Sequence, residues 1–189
     1  EDVVFENIPS SKKVLFLNVS QPDFPKNSTA IEWTKKSFLD AGWDALNIDV
    51  KSRSSKTDNT LKPEDFFELK DYGMVFIFAE GIYGSFNEGE SSQYYLQLGS
   101  SNNFGATYAT MLKDAALKGQ IIICDGDFYM RADLLQQVLN LPKTSMVFLI
   151  GAHGTSASSV FLGKTNGRFF AWDDVPLPKD SYNALTTLV

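Results

Sequence analysis

The sequence predicts a single α/β domain, a three-layer sandwich built on a mostly parallel sheet. Three observations predict it. Continuous apolar runs of strand length recur at Lys13–Val19, Gly73–Ala79 and Met146–Ile150, the pattern of strands covered on both faces. Segments with helical spacing alternate with these runs, the signature of βα units. The 189 residues, 43% hydrophobic and 13% aromatic, suffice for one such core and fall short of two comfortable ones.

Each element has its own signal. Glu1–Ser11 reads as an irregular arm, and Lys13–Val19 as the first strand. After the Pro-rich turn Gln21–Lys26, Ser28 or Thr29 is expected to cap a helix in which Ile31, Thr34, Lys35 and Phe38 share a face, ending at Gly42. Asp44–Val50 alternates as a second strand, and Lys51–Lys62 is a polar loop. Pro63–Leu69 opens with Pro at a first helical position. Gly73–Ala79 is the third strand, and the Tyr83–Gly99 stretch reads as a hairpin or short extra strands. Thr107–Lys118 is a helix stopped by Gly119, and Gln120–Cys124 a fourth strand. Arg131–Asn140 is a helix that breaks before Pro142, and Met146–Ile150 is the fifth strand. A short helix near Ala157–Leu162, a sixth strand at Arg168–Trp172 and a helical tail complete the chain.

Composition excludes several function classes. A net charge of −6 opposes nucleic acid or an anionic membrane as the main partner, since both select clustered Lys and Arg. The nearest basic cluster, Lys51–Lys56, is short. One cysteine, Cys124, allows neither an internal disulfide nor a thiolate metal site. It is expected in the core, where free cysteine usually packs. No apolar run reaches the roughly 18 residues of a membrane span. The chain opens on Glu1 rather than Met, as a processed or truncated product would.

Candidate function concentrates at two strand ends. The third strand runs into Glu80-Gly81, and the fifth into Gly151-Ala152-His153-Gly154, which holds the chain's one histidine. In parallel sheets ligands bind outside the carboxyl ends of strands, so both ends lie where a site is expected.

The order of several segments resembles the gingipain/clostripain-like cysteine peptidases, which have a caspase-type fold. Tyr72-Gly73-Met74-Val75-Phe76-Ile77-Phe78-Ala79-Glu80-Gly81 follows the family strand that delivers its general-base histidine, with Glu80 at the histidine's position. Gly89-Glu90 matches the Gly-Glu of the next turn. Pro142 and then Ser145-Met146-Val147-Phe148-Leu149-Ile150-Gly151-Ala152-His153-Gly154 follow the strand that carries the nucleophilic cysteine. Ala152 takes that position without a gap, and His153 takes it with a one-residue shift. Phe161-Leu162-Gly163 and Ala171-Trp172-Asp173 echo the family's last motif, so the similar region runs from about Lys12 to Val175.

The resemblance implies a caspase-like fold kept and a peptidase activity lost. A cysteine peptidase needs a thiolate and a base to activate it. Neither register supplies the thiol, and a carboxylate with an ordinary pKa of about 4.3 is no substitute base. The expectation is a pseudoenzyme, a binding or structural module with no cofactor and an unidentified protein or peptide partner. Its binding residues would be Glu80, Gly81, Ala152, His153 and Glu90. The resemblance also implies a bacterial protein outside the cytoplasm, secreted, periplasmic or on the cell surface.

Two other readings stand beside it. Glu80 and His153 as a hydrogen-bonded dyad would make a hydrolase if Thr155, Ser156, Ser158 or Ser159 supplied a nucleophile. A flavodoxin-like small-ligand binder would place an anion after the first strand, but Asn18–Thr29 contains no Gly, and Pro22 and Pro25 remove two donors. Ser28 and Thr29 are therefore read as caps. Asp125-Gly126-Asp127 reads as a turn rather than a cation site, since two carboxylates lack a third ligand. Phe24, Trp33, Tyr83, Phe86, Tyr94 and Tyr95 are candidates for an aromatic groove, with core packing as the commoner fate of such residues.

Overall fold

The first apolar run forms β1 (Val14–Asn18), buried at all five positions. In this computed structural model the described residues are 9, 11–20, 26–55, 60–85, 89, 91–100, 106–151, 153–164 and 167–171. The elements that follow are α1 (Lys26–Asp40), β2 (Ile48–Ser52), β3 (Met74–Phe78), β4 (Gly81–Gly84) and β5 (Gln93–Ser100). Then come α2 (Ala109–Leu117), β6 (Ile121–Cys124), β7 (Asp127–Arg131), α3 (Ala132–Val138), β8 (Met146–Ile150), α4 (Ser158–Leu162) and β9 (Arg168–Ala171).

Five of these strands make a wholly parallel sheet in the order β2-β1-β3-β8-β9. The other four make an antiparallel sheet, β4-β5-β7-β6. One face of the parallel sheet offers Leu15, Leu17, Val75, Ile77, Val147 and Leu149 to a core that also takes Leu96 and Leu98 of β5, Met130 of β7 and Leu135 of α3. Both sheets thus share one core. The opposite face meets α1 through Ala30, Ile31 and Phe38.

That second face carries an aromatic ladder. Phe16, Phe76, Phe148 and Phe170 are in register across β1, β3, β8 and β9. Parallel strands lie about 4.8 Å apart, so in-register rings must stack at that spacing. Their centroids stand 4.8, 4.5 and 4.7 Å apart with interplanar angles of 15°, 6° and 7°.

Several expectations shift. Gln120–Cys124 is not a strand of the parallel sheet, because β6 is the edge of the antiparallel one, joined to β7 by a two-residue turn. Asp125 (φ 50°) and Gly126 (φ 81°) both have positive φ, as a type I′ Asp-Gly hairpin requires. Cys124 is exposed at the end of that edge rather than buried in the core. Neither Ser28 nor Thr29 precedes α1, since the helix starts at Lys26 and both lie exposed in its first turn. Asp44 belongs to a cap, accepting the Leu46 N–H at 2.9 Å, and the second strand starts only at Ile48. Pro63–Phe66 is a single 3-10 turn. No described helix is long and apolar enough to cross a membrane. The helical tail expected after Trp172 lies outside the described residues, as does the N-terminal arm except Pro9 and Ser11.

Candidate functional site

Residues Phe78 of β3 and Ile150 of β8 are partners, and the Ala79 N–H donates to the Ile150 carbonyl at 3.1 Å. The two motif-bearing strands therefore leave the sheet side by side. They also touch: a Cβ on Gly151 would stand 1.6 Å from the Ala79 carbonyl oxygen. Only glycine allows that approach.

From Ala79 the chain passes through half-buried Glu80 into β4, whose first residue, Gly81, is buried and pairs with Leu96. The Glu80 carbonyl accepts from the Gln97 N–H at 2.8 Å, and its own N–H donates to Gln97 Oε1 at 3.3 Å. Gln97 is buried and donates from Nε2 to Asp127 Oδ2 at 2.7 Å. Asp127 Oδ1 in turn stands 2.7 Å from Arg53 Nη2, an ion pair with side chains 1% and 5% exposed. The Arg53 guanidinium also donates from Nη1 to the Val19 carbonyl at 3.4 Å, and its backbone N–H to Asn18 at 3.1 Å. A buried polar chain thus links the residue after β3, the middle of β5, the start of β7, the residue after β2 and the end of β1. A charge pair so deep is retained only when both members are held by further bonds, and these are.

Sequence reasoning missed this chain. Arg53 sits in the short basic run read as a loop, and Asp127 was read only as part of a turn. Local pattern carries no signal for either.

On the β8 side, His153 adopts a left-handed backbone (φ 54°, ψ 32°). Such a conformation in a non-glycine residue costs about 1–2 kcal/mol, and His tolerates it better than most. Its ring meets Tyr83 edge to face, with centroids 5.5 Å apart. Tyr83 meets Tyr94 in the same way, also at 5.5 Å. The Tyr83 hydroxyl shares a hydrogen bond with the Ser156 hydroxyl, while the Ser156 N–H donates to the His153 carbonyl at 3.0 Å. Tyr94 is 6% exposed, and its hydroxyl is buried with no hydrogen-bond partner among the described residues. Burial, and then the neighbouring Tyr83, push the Tyr94 phenol well above its ordinary range.

The site residues expected from sequence fall as follows. Glu80, Gly81 and His153 come to adjacent strand ends, whereas Ala152 and Glu90 lie outside the described residues. The described contacts of His153 are an aromatic ring and a backbone N–H, so its imidazole meets a tyrosine rather than a hydroxyl it would activate. Of the candidate nucleophiles, Ser156 shares a hydroxyl hydrogen bond with Tyr83. The aromatic groove reduces to Tyr83 and Tyr94. Trp33 belongs to α1, across the parallel sheet, and the buried Tyr95 donates its hydroxyl to the Gly119 carbonyl at 2.7 Å. Phe24 and Phe86 lie outside the described residues. No known protein family, curated protein or solved structure matches this chain.

Proposed function

We propose that this α/β domain is a caspase-like pseudoenzyme, a module that keeps the strand-end cleft of a cysteine peptidase and uses it to bind a protein or peptide partner. The observation that carries the reading is the adjacency of β3 and β8, whose ends hold Glu80 and His153 where the peptidase motifs hold base and thiol. A thiolate and an activating base are the minimum for that chemistry, and neither is present at these positions. What the cleft offers instead is contact surface: the exposed Tyr83 ring, the His153 imidazole against it, and a glycine-lined floor at Gly81 and Gly151.

The test is a titration of labelled protein with Arg- and Lys-containing peptides, followed by amide shifts and by chromatography of the peptides. Shifts at Gly81, Tyr83, His153 and Ser156 with the peptide left intact support the reading. Cleavage that disappears on Glu80→Ala or His153→Ala overturns it. A hydrolase built on His153 draws less support, since the nearby Ser156 hydroxyl bonds to Tyr83. One observation favours a second reading as a flavodoxin-like ligand binder: the parallel strands follow the order 2-1-3-4-5, the order of that doubly wound class.

A further inference from the structure

The outer strands of the two sheets are β2 and β9 in the parallel one, β4 and β6 in the antiparallel one. An outer strand presents unpaired N–H and C=O groups, and proteins blunt it with charge, proline, a bulge or a covering segment. β2 carries Asp49 and Lys51, and β9 opens with Arg168. β4 is tied through the Tyr83 and Ser156 hydroxyls to the Gly154–Ala157 turn. β6 has none of these devices. Ile121-Ile122-Ile123-Cys124 holds no charge and no proline, and it pairs with β7 without a bulge.

The direction of its backbone groups follows from the hairpin. A two-residue turn makes Cys124 and Asp127 a hydrogen-bonded pair. Ile122 and Gln120 then also bond toward β7, and the Arg131 N–H does donate to the Gln120 carbonyl at 2.8 Å. The N–H and C=O groups of Ile121 and Ile123 therefore point away from the sheet. Their side chains share the face that carries α2, while those of Ile122 and Cys124 lie on the other face. On the α2 face an apolar groove of about 200 Å³ is lined by Ile121, Ile123 and Phe128 and by Leu112, Lys113 and Ala116 of α2. Ile123 is 61% exposed at this groove.

This edge is complementary to itself. Laid antiparallel about a two-fold axis at Ile122, Ile121 of one copy faces Ile123 of the other. Both such pairs use the outward groups, so each exchanges two hydrogen bonds. Ile123 of each copy then lies over the groove of the other, beside Ile121 and Leu112. The same register sets Asp125 of one copy opposite Gly119 and next to Lys118 of the other, and the two-fold repeats the contact. Both charged side chains are exposed. Opposite charges thus meet at each end of the contact, although the chain as a whole carries −6. We propose that β6 is a self-association edge, through which a second copy of this chain joins the two four-stranded sheets into one continuous antiparallel sheet.

The experiment is sedimentation equilibrium of the full chain across a range of concentrations, and the expected result is a concentration-dependent dimer. Ile123→Lys, at a position already exposed in the single chain, should weaken that dimer at least about tenfold, since each copy loses a buried isoleucine. Its urea midpoint, measured where both proteins are monomeric, should not move. Cross-linking in a Cys124→Ser background reads the register. Partners in a non-hydrogen-bonded antiparallel pair have Cα atoms about 4.5 Å apart, within disulfide reach, so Ile122→Cys should oxidise to a covalent dimer. Two Ile123→Cys thiols would stand two residues out of step, with Cα atoms about 8 Å apart, and should not. A chain that stays monomeric at every concentration overturns the proposal. So does a dimer indifferent to Ile123→Lys, or one that Ile122→Cys fails to cross-link. The strand-end cleft takes no part, so Glu80→Ala leaves the dimer unchanged.

Discussion

The sharpest test of the strand-end geometry is Gly151→Ala. Gly151 has no positive φ among the chain's left-handed residues, so the substitution reports crowding rather than backbone strain. The new Cβ would stand 1.6 Å from the Ala79 oxygen and 2.8 Å from its carbon. A carbon–oxygen contact needs about 3.3 Å, so the two strand ends must part by roughly 1.7 Å. The Ala79 to Ile150 hydrogen bond, 3.1 Å long, cannot survive that separation. Losing it costs about 1 kcal/mol, and forcing an extra methyl into a packed contact adds about 1–3 kcal/mol. The expected loss is therefore about 2–4 kcal/mol in urea unfolding, read by linear extrapolation, with shifted amides at Glu80 and Gln97. Gly126→Ala is the control. Its Cβ meets nothing within 4 Å, and only the left-handed turn resists it, at about 1–2 kcal/mol. A Gly151→Ala loss under about 0.5 kcal/mol, with Glu80 and Gln97 unmoved, would refute the close approach.

Three further outcomes follow from named contacts. Arg53→Met leaves Asp127 buried without its cation, which should cost about 3–5 kcal/mol in the same unfolding assay; a loss within the range of a surface change would show the pair to be solvated. The Tyr94 phenol is pushed up by burial and then by Tyr83, so the folded state holds a proton that the unfolded chain releases near pH 10. That contribution to stability is complete below about pH 10 and is lost as the pH rises beyond it; in Tyr94→Phe, which also removes an unpartnered hydroxyl, this alkaline loss should shrink with no penalty at neutral pH. Cys124, exposed on the edge strand, should react with a disulfide reagent in the native protein at nearly the rate found in denaturant, whereas strong native protection would put it back in the core.

What could be read from the sequence depended on whether burial was encoded locally. β1, β3 and β8 were legible because both of their faces are covered, which leaves continuous apolar runs. β6 was recognised as a strand but assigned to the wrong sheet. Three consecutive isoleucines look alike in a buried parallel strand and an antiparallel edge. The Asp125-Gly126 turn is what distinguishes them, because it returns the chain as the antiparallel strand Asp127–Arg131. Arg53 was illegible for another reason. Its burial depends on Asp127, which is distant in sequence, so its polar neighbours gave no warning. The strand rule put Glu80 and His153 past carboxyl strand ends, but the left-handed backbone of His153 and its tyrosine contact carry no signal in the sequence.

The polar chain ties the strand ends of the parallel sheet to the antiparallel one. Glu80 is fixed by Gln97, Gln97 by Asp127, Asp127 by Arg53, and Arg53 by the carbonyls of Asn18 and Val19. The ends of β3 and β1 are thus joined by one set of buried contacts. Networks of this kind resist partial removal, because each lost partner leaves another group unsatisfied in a low-dielectric interior. A catalytic site needs an imidazole oriented by an acceptor and aimed at a reacting group. Here the hydrogen-bonded framework lies beneath the backbone, and the imidazole meets the Tyr83 ring edge to face. Contacts of that kind offer a surface to a partner, and that is what the proposed binding reading draws on.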